Sequence, residues 1–431
     1  FLDPCQGSGH VLVYAFDLFA KIYEEEGYNT NEIPALILQN NLFGIDIDPR
    51  AAQLAAFALT MKARNYYSRF LRKPIQPHVI ALENVSLETI EQSINLPIVV
   101  EGKKIENYSE LSLNLLTQAN NLGSLIQLKQ EEVNAIQVQT GSMWQEQQNV
   151  LKQQAEFLST KYHCVVTNPP YMGGKGMNAE LKIFVEKNFK KSKRDLMACF
   201  MERCLKYNPN YGKTGMINQH SWMFLSSYEE LRPFLIENAQ FESLLHLGAR
   251  AFPEIGGEVV QNTAFVLGNY QPVDKGVFIR LTDFGNAQLK DDKTLEAIQN
   301  PYCGWFYSAN QRDFENIIGS PFGYWNTVQV FNIFKNNKSL VNSIITRQGM
   351  ATGDNNSFLR IWHEISECNF NKKSISIEDF LSLNKRWAPY NKGGSFKKWY
   401  GNYDIVIAFS NYDFELLCNQ GNHCPSKDLT S

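Results

Sequence analysis

The sequence lacks the features of a membrane or secreted protein. Although 44% of the 431 residues are hydrophobic, no uninterrupted apolar run approaches the roughly 18 residues that would suggest a membrane span. No basic segment followed by an apolar core opens the chain, so nothing indicates secretion. The chain begins with "FLDPCQGSGH", which is typical of the middle of a domain. We therefore expect a longer, cytoplasmic protein with further residues before Phe1 and no membrane partner.

Paired cysteines and a strong net charge are also missing. The eight cysteines form no CxxC pair and several lie in apolar runs, a pattern that favours free thiols in a reducing compartment over zinc sites or disulfides. We expect no metal. A formal net charge of -3 does not by itself indicate a nucleic-acid-binding protein, but an average can hide a local basic patch.

The sequence does contain a regular alternation of strands and helices up to about residue 86. "HVLVYAFDLFAKIYEEE" has helical spacing, "NLFGIDID" is a short apolar strand, "PRAAQLAAFALTMKAR" is a helix that begins with proline, and "PHVIALENVS" contains another strand. Proline is favoured in the first helical turn. The alternation predicts an α/β protein with a doubly wound, Rossmann-like parallel sheet.

Two segments interrupt or end this alternation. Residues 100–160 are glutamine-rich and helical in period, and we expect a helical insertion packed on one edge of the sheet. Strands resume at "HCVVTNPPY", and "ESLLHLGARAF" with "NTAFVLGNY" fits an antiparallel pair. The later residues are richer in aromatic, Asn, Gly and Ser side chains. We predict one domain over 1–330 and a second region over 331–431.

Three short motifs at predicted strand ends carry the chemistry. In "DPCQGSGH", Asp3 ends a strand, and Gly7 and Gly9 allow the backbone to approach a ligand before a helix begins. The turn is neither the GxGxxG fingerprint nor a phosphate-binding P-loop. In "GIDIDP", Asp46 can accept hydrogen bonds from ribose hydroxyls, whereas Asp48 precedes a proline and suits a helix cap.

The third motif is "NPPY", residues 168–171. Proline has no N–H, so the chain leaves the sheet here with its carbonyl groups unpaired. Asn168 and Pro169 can then direct two oxygen acceptors at one amino group. Pro170 continues the turn, and Tyr171 offers a ring on which a planar base can stack.

The ordered set "DPCQGSG", "GIDIDP" and "NPPY" resembles the adenine-specific DNA methyltransferases that use S-adenosyl-L-methionine (AdoMet) and place the cofactor motifs before the catalytic motif. The longer stretches, including "ATGDNNSFLRIWHEI" and "KRWAPYNKGGSFKKWYG", resemble the PglX methyltransferases of BREX phage-defence systems, and type IIG restriction enzymes share much of this pattern. The resemblance implies the class I AdoMet-dependent methyltransferase fold, followed by the start of a target-recognition domain.

The resemblance also implies roles for residues. Asp3, Gly7 and Gly9 would line the methionine part of AdoMet, Asp46 its ribose and Asn84 its adenine. The catalytic residues would be Asn168, Pro169, Pro170 and Tyr171, with Tyr171 and Phe252 on either side of an adenine flipped out of double-stranded DNA.

Basic residues indicate where DNA would lie. One run follows the catalytic motif and a second lies among aromatic residues near the end of the chain: Lys190, Lys191, Lys193, Arg194, Arg386, Lys397 and Lys398. Such runs fit phosphate contact. Other defence-system proteins or a phage-encoded inhibitor are further candidate partners.

Three alternatives stay open at this point. The chain can be the modification part of a type IIG restriction enzyme, a DNA-binding defence module that is inactive alone, or a protein-glutamine methyltransferase, which also uses "NPPY". The insertion and the aromatic basic region after residue 380 argue against the last.

Overall fold

The computed structural model describes residues 1–252, 260–338, 352–399 and 401–419. The strands are β1 (Leu2–Asp3), β2 (Phe43–Asp46), β3 (His78–Ala81), β4 (Ile98–Val100), β5 (Lys103–Ile105), β6 (Cys164–Thr167), β7 (Lys213–Gln219), β8 (Gln240–Gly248), β9 (Asn262–Gly268), β10 (Gly276–Arg280), β11 (Phe306–Ala309), β12 (Leu359–Ile361), β13 (Trp387–Pro389) and β14 (Ile405–Ala408).

The α-helices are α1 (His10–Glu25), α2 (Ile33–Leu36), α3 (Pro49–Tyr66), α4 (Leu87–Ser93), α5 (Ala119–Leu122), α6 (Gln130–Asn134), α7 (Gln145–Ser159), α8 (Ala179–Asn188), α9 (Leu196–Tyr207), α10 (Leu231–Asn238), α11 (Ala287–Gln299), α12 (Val328–Asn336), α13 (Asn355–Phe358), α14 (Ile377–Ser382) and α15 (Asn411–Asn419). A π-helical turn, Ile37–Asn41, continues α2. Short 3-10 turns include Ser112–Gln118, Gly123–Leu125, His220–Met223 and Gln311–Asn316.

In the described part of the chain, nine strands form one sheet in the order β11-β10-β8-β9-β7-β6-β1-β2-β3. Strands β1, β2, β3, β6 and β7 are mutually parallel, and β9 runs antiparallel to both β7 and β8. The predicted Rossmann-like methyltransferase fold is confirmed, as is the antiparallel pairing of β8 with β9. The strand order reverses between β1 and β6, and ligands of open α/β sheets bind outside the carboxyl ends of the strands at such a point.

The sheet is covered on both faces. Val79 and Ile80 are neighbours in β3, yet they pack in two different hydrophobic cores. Because successive strand residues point to opposite faces, these cores lie on opposite faces of the sheet. Helices α1 and α3 build one core through residues at helical spacing, such as Leu12 and Phe16. Helices α7, α9 and α10 contribute to the other.

The chain divides into two compact units, Phe1–Asn337 and Lys338–Ser431. The described residues of the second unit include a three-stranded antiparallel sheet, β12-β14-β13. Its core contains Phe358, Phe380, Ile407 and Leu417. Target recognition by this second region stays a prediction.

The insertion is less helical than its periodicity predicts. It opens with an antiparallel hairpin of β4 and β5 and continues through 3-10 turns before α5, α6 and α7. The helical period of the sequence reflects the burial of residues such as Leu113, Leu116 and Leu151 in the sheet core, and 3-10 turns satisfy nearly the same spacing as an α-helix.

The cysteines follow the expectation of free thiols at all but one described position. Cys199 and Cys204 are buried free thiols, and Cys5, Cys164, Cys303 and Cys368 are also free. Cys418, in α15, is disulfide-bonded, so the expectation is wrong there. None of the described helices combines the length and the hydropathy needed to cross a membrane.

Candidate active site

The glycine-rich turn between β1 and α1 depends on two glycines for different reasons. Gly9 has φ 85°, and a Cβ there would lie 2.8 Å from the Ala55 Cβ, so glycine lets the start of α1 approach α3 closely. Gly7 has φ 52°, and no heavy atom lies within 4 Å of the position its Cβ would take. A left-handed backbone favours glycine at both positions.

Asp46, at the end of β2, organises the entrance to the site. Its Oδ1 accepts hydrogen bonds from the N–H groups of Ile47 (2.8 Å) and Asp48 (2.9 Å), and its Oδ2 accepts one from the Gly7 N–H (2.9 Å). This last bond ties the first two sequence motifs together. Asp48 instead caps α3 by accepting from the Arg50 N–H (2.9 Å), as its position before a proline predicts.

Asp3 lies beneath the turn. Its side chain is 1% exposed and its Oδ1 accepts from the Cys5 N–H at 3.1 Å. Burial raises the pKa of Asp3 to about 7, because removal from water disfavours the charged carboxylate. The structure therefore places Asp3 as a support of the turn, while the neighbouring Pro4 and Cys5 reach the cavity surface.

The "NPPY" turn follows β6 at the same edge of the sheet. Asn168 is exposed and Pro169 is buried. The Tyr171 hydroxyl donates to the Asn168 Oδ1 at 3.3 Å. Burial, and to a smaller degree the charge of Asp195, raise the pKa of Tyr171 to about 12, so its hydroxyl keeps its proton near neutral pH. In the described residues no backbone donor is directed at the Pro169 carbonyl.

Asp195 fixes the exit of this turn, a role that the motif analysis missed. Its Oδ1 accepts from the Met172 N–H (3.2 Å) and from the Met197 N–H (3.0 Å), which caps α9. The Leu196 N–H donates to the Met172 carbonyl at 3.0 Å. An Asp just before the apolar run "LMACF" is a helix-capping signal, so the sequence indicated the cap but not the bond to the "NPPY" turn.

These three motifs meet at one cavity of ≈ 340 Å³. The first motif contributes Pro4, Cys5 and Gly7, the second Asp46 and Ile47, and the third Asn168 and Pro170. The apolar side chains of Leu181, Leu196 and Phe200 complete one side. A volume of this size is within the range of small-ligand sites, about 300–1,000 Å³.

The remaining wall comes from the insertion, which we expected only to pack against the sheet. Residues 121–125 line the cavity. The Ser124 hydroxyl donates to the Pro4 carbonyl at 2.5 Å, and Asn121 Oδ1 accepts from the Asn178 side chain at 2.7 Å. The glycine within "NNLGSL", Gly123, has φ 60° and was the available sequence signal for a tight turn.

A buried arginine holds this wall in place. Arg203, in α9, is 3% exposed and donates to the carbonyls of Ser124 (3.0 Å), Ile126 (2.7 Å) and Leu158 (2.8 Å). The Tyr207 ring lies 3.5 Å from its guanidinium carbon. Burial lowers the pKa of Arg203, and the three carbonyls with the ring compensate the buried charge.

Six predicted ligand residues are not among those that line the cavity: Asp3, Gly9, Asn84, Pro169, Tyr171 and Phe252. Asn84 is exposed, and its Oδ1 accepts from the Asn120 N–H at 3.0 Å. It therefore bonds the residue that directly precedes the cavity wall of residues 121–125. Phe252 is half-buried after β8. The roles of Asn84 and Phe252 in binding stay predictions.

The basic residues of the first run are free for a partner. Lys190, Lys191, Lys193 and Arg194 lie between α8 and α9 and are exposed. None of the four forms an ion pair with a described acidic residue. Lys191 Nζ lies 4.5 Å from the centre of the Phe234 ring.

The second basic run contains exposed lysines and one arginine that is paired with a carboxylate. Lys397 and Lys398 are exposed, and Trp399 beside them is 89% exposed. Arg386 is bound through its Nε and Nη2 to the Asp413 carboxylate at 3.2 and 3.3 Å, and Asp413 is 3% exposed. This pair gives Arg386 a structural role in the second unit, and its contact with DNA stays a prediction.

Comparison with known proteins finds relatives that are named methyltransferases. A family model described as Eco57I restriction-modification methylase matches residues 40–252. The adenine-specific methyltransferase BrxX of Escherichia coli O9:H4 (strain HS) is 38% identical over 458 residues, which are 98% of this chain and 36% of BrxX. The adenine-specific methyltransferase PglX of Lacticaseibacillus casei (strain Zhang) is 38% identical over 439 residues, 97% of this chain and 36% of PglX.

The chain thus spans about a third of the length of these curated relatives. Similarity to solved structures is more remote. The ATP-dependent type ISP restriction-modification enzyme LlaBIII, bound to DNA, has a TM-score of 0.45 and 13% identity, and the match covers 71% of this chain and 19% of LlaBIII. The EcoKI M protein of a type I restriction enzyme has a TM-score of 0.35 and 13% identity over 67% of this chain and 47% of that protein.

Proposed function

The chain belongs to the family of the adenine-specific methyltransferases BrxX and PglX, and we propose that it transfers a methyl group from AdoMet to the N6 amine of adenine in double-stranded DNA. The observation that carries the proposal is the convergence of Gly7, Asp46 and Asn168 on one cavity. The biological role that follows is self-marking of DNA in phage defence of the BREX type.

The residues present fit AdoMet. Gly7 leaves open space where a side chain would otherwise stand, so a ligand can lie against the turn. The Asp46 carboxylate faces the same cavity and suits ribose hydroxyls. Gln6 is 4% exposed, and its amide nitrogen and oxygen have no hydrogen-bond partner in the described structure. The turn therefore contains one donor group and one acceptor group that are not yet used. When bound, AdoMet supplies a methyl group on a positively charged sulfur.

The catalytic turn would hold the target amine. Asn168 Oδ1 has two acceptor lone pairs, and the Tyr171 hydroxyl uses one at a long 3.3 Å. The Pro169 carbonyl supplies a second acceptor. Two acceptors on one amine orient its lone pair, and placement about 3–3.5 Å from the methyl carbon provides much of the rate enhancement. A flipped adenine would stack on Tyr171, at a flipping cost of a few kcal/mol.

Asp195 would keep the turn in this geometry. Its two backbone bonds join Met172, which follows Tyr171, to the first turn of α9. Burial raises the pKa of Asp195, and its Oδ1 is committed to two backbone N–H donors. We therefore assign it to positioning. A base is not required before transfer, because the amine loses its proton after it has been alkylated.

DNA would approach along the exposed basic residues 190–194 beside the catalytic turn, and Lys397 and Lys398 would add contacts from the second unit. Each neutralised phosphate releases condensed counterions, so binding should weaken steeply with salt. A restriction-modification role is the second candidate, because RM.Eco57I of Escherichia coli, named a type II restriction enzyme and methyltransferase, is 24% identical over 316 residues, 68% of this chain.

The test is methyl transfer from labelled AdoMet to phage and host DNA by this chain and by a longer protein that contains it. We expect label on adenine N6, lost by at least about a hundredfold in Asn168→Ala. The matched control, Asn188→Ala, removes an exposed side-chain amide of α8 that, among the described residues, bonds only the Phe184 carbonyl, and should leave transfer unchanged. Label on cytosine or on a protein glutamine, or full activity of Asn168→Ala, would contradict the proposal.

A further inference from the structure

A cluster of aromatic and basic side chains lies on the catalytic edge of the sheet, outside the cavity. His220 follows β7, and its ring centre lies 5.7 Å from that of Phe224. The Phe224 ring lies 5.9 Å from Trp325, and the Arg280 guanidinium carbon lies 5.0 Å from the Trp325 ring centre. All four are half-buried. We name His220, Phe224, Arg280 and Trp325 the far-edge patch.

Strand directions place this patch beside the catalytic turn. Thr167 of β6 pairs with Met216 of the parallel strand β7, so Asn168 and His220 both leave the sheet at the same edge. Arg280 ends β10, which runs parallel to β8 and pairs there with His246. The patch therefore continues the edge from "NPPY" in the direction opposite to the cofactor motifs.

The patch carries basic groups without acidic partners. Arg280 Nε donates to the Thr282 hydroxyl at 3.2 Å, and no described acidic residue forms an ion pair with it. An arginine stacked on a tryptophan and left without a carboxylate presents both charge and a flat surface. Phosphates and bases are the partners that such a combination fits.

A hydrogen-bond chain fixes the orientation of His220. Its Nδ1 lies 2.7 Å from His246 Nε2, and His246 Nδ1 lies 2.9 Å from the Tyr324 hydroxyl. His246 is 5% and Tyr324 2% exposed. When Tyr324 donates to His246, and His246 to His220, the remaining proton of a neutral His220 is on Nε2. His220 Nε2 has no partner among the described residues and can donate to a phosphate or a base.

We propose that the far-edge patch is a DNA contact separate from the basic run 190–194, in which Arg280 neutralises a phosphate and Phe224 and Trp325 stack on an unstacked base next to the target adenine. This inference rests on the proposed function, since it takes the DNA to lie against the same edge as "NPPY".

The experiment measures the salt dependence of DNA binding. Fluorescence anisotropy of a labelled 30-base-pair duplex of mixed sequence would be recorded in KCl between about 50 and 200 mM, the range over which phosphate contacts change affinity strongly. In Arg280→Gln the slope of log affinity against log salt should become shallower by about 0.9, the value for one lost phosphate contact. Arg280→Lys keeps the charge and should keep the slope.

A matched control and a stacking variant separate the two roles. Arg312→Gln removes an exposed arginine of the Gln311–Asn316 turn, where Gln311 bonds the start of β8 at the opposite edge, and should leave the slope unchanged. Phe224→Leu should keep the slope but weaken binding to a duplex with one unpaired adenine by at least about fivefold, the equivalent of one lost stacking contact. AdoMet affinity and thermal unfolding check that each variant is folded.

The outcomes separate failure of the patch from failure of the proposed function. If the wild-type chain binds DNA and transfers methyl groups, and Arg280→Gln binds with the same slope and affinity, the patch proposal is overturned alone. If the wild-type chain binds AdoMet but no DNA, the proposed function and the patch are both overturned. If Asn168→Ala loses transfer and keeps the full salt slope while Arg280→Gln loses part of it, both proposals are supported.

Discussion

Two regions of one sheet edge differ sharply in chemistry. The cavity at β1, β2 and β6 is lined by backbone, apolar side chains and the Asp46 carboxylate, with Asp3 beneath it. The far-edge patch, whose residues follow β7, end β10 and precede α12, is half-buried and carries histidine, arginine and aromatic rings. The first region has the charge and enclosure that suit a small, positively charged cofactor. The second suits an extended, negatively charged polymer.

The difference shows how a single edge can bring two reactants together. Parallel strands end at the same edge, so the turn after β6 stands between the two regions. Asn168 lines the cavity, and the patch begins at the end of the adjacent strand β7. The experiments below perturb one region and ask whether the other responds.

The largest effect is expected from the cavity wall. Arg203→Leu removes the donor to the buried carbonyls of Ile126 and Leu158 and one of two donors to that of Ser124, which keeps the Tyr207 hydroxyl. We expect the free energy of unfolding to fall by about 3 kcal/mol. AdoMet affinity should fall while DNA affinity of the folded fraction is kept. The exposed Lys206 of the same helix bonds Gln127, so Lys206→Leu is the control and should change neither quantity by much. Chemical denaturation and calorimetric titration measure the two effects.

Acid should destabilise the far edge. Burial, then the nearby cations His220, Arg280 and Lys290, lower the pKa of His246 to about 3. His246 therefore takes up a proton near pH 6.5 in the unfolded chain but only near pH 3 in the native state. The contribution of neutral His246 to the free energy of unfolding is complete above about pH 6.5 and is lost as the pH falls towards 3. At pH 5 the loss is about 2 kcal/mol.

His246→Gln should remove this pH dependence, as measured by denaturation at pH 5 and pH 8. Asp3, beneath the cavity, should act with the opposite sign. Its pKa is raised to about 7, so its contribution to stability declines as pH rises from about 4 to about 7. If His246→Gln and the wild type lose the same stability at pH 5, the assignment of the acid effect to the far edge is wrong.

The smallest effect is expected at the cavity entrance. Asp46→Asn keeps one oxygen acceptor but loses the negative charge of a carboxylate that accepts hydrogen bonds from three backbone N–H groups. We expect AdoMet affinity to fall about tenfold, the equivalent of about 1.4 kcal/mol. DNA binding and its salt slope should stay unchanged. Equal losses of AdoMet and DNA affinity would show that the two regions are coupled through the β2 turn.

Local sequence was sufficient for the strands, helices and motifs up to about residue 86, for the "NPPY" turn and for the β8–β9 pair, but not for the hairpin and 3-10 turns of the insertion. The glycines of the first turn, the acid after β2 and the prolines after β6 act through backbone conformation and capping, which depend on neighbouring residues. Their convergence also followed from sequence, because alternating strands and helices produce a parallel sheet whose carboxyl ends share an edge. The cap at Asp195 was readable in the same way, although its bond to Met172 was not.

Only the tertiary structure decided which distant segments complete the site. Residues 121–125 form a cavity wall that Arg203, nearly 80 residues away in the chain, holds through the carbonyls of Ser124 and Ile126. No periodicity in the glutamine-rich segment indicates such a contact. The far-edge patch likewise joins residues from β7, β10 and the segment before α12. Hydrogen-bond partners and ring contacts depend on strand order and register, which long-range packing sets, whereas turns and caps are set by the residues beside them.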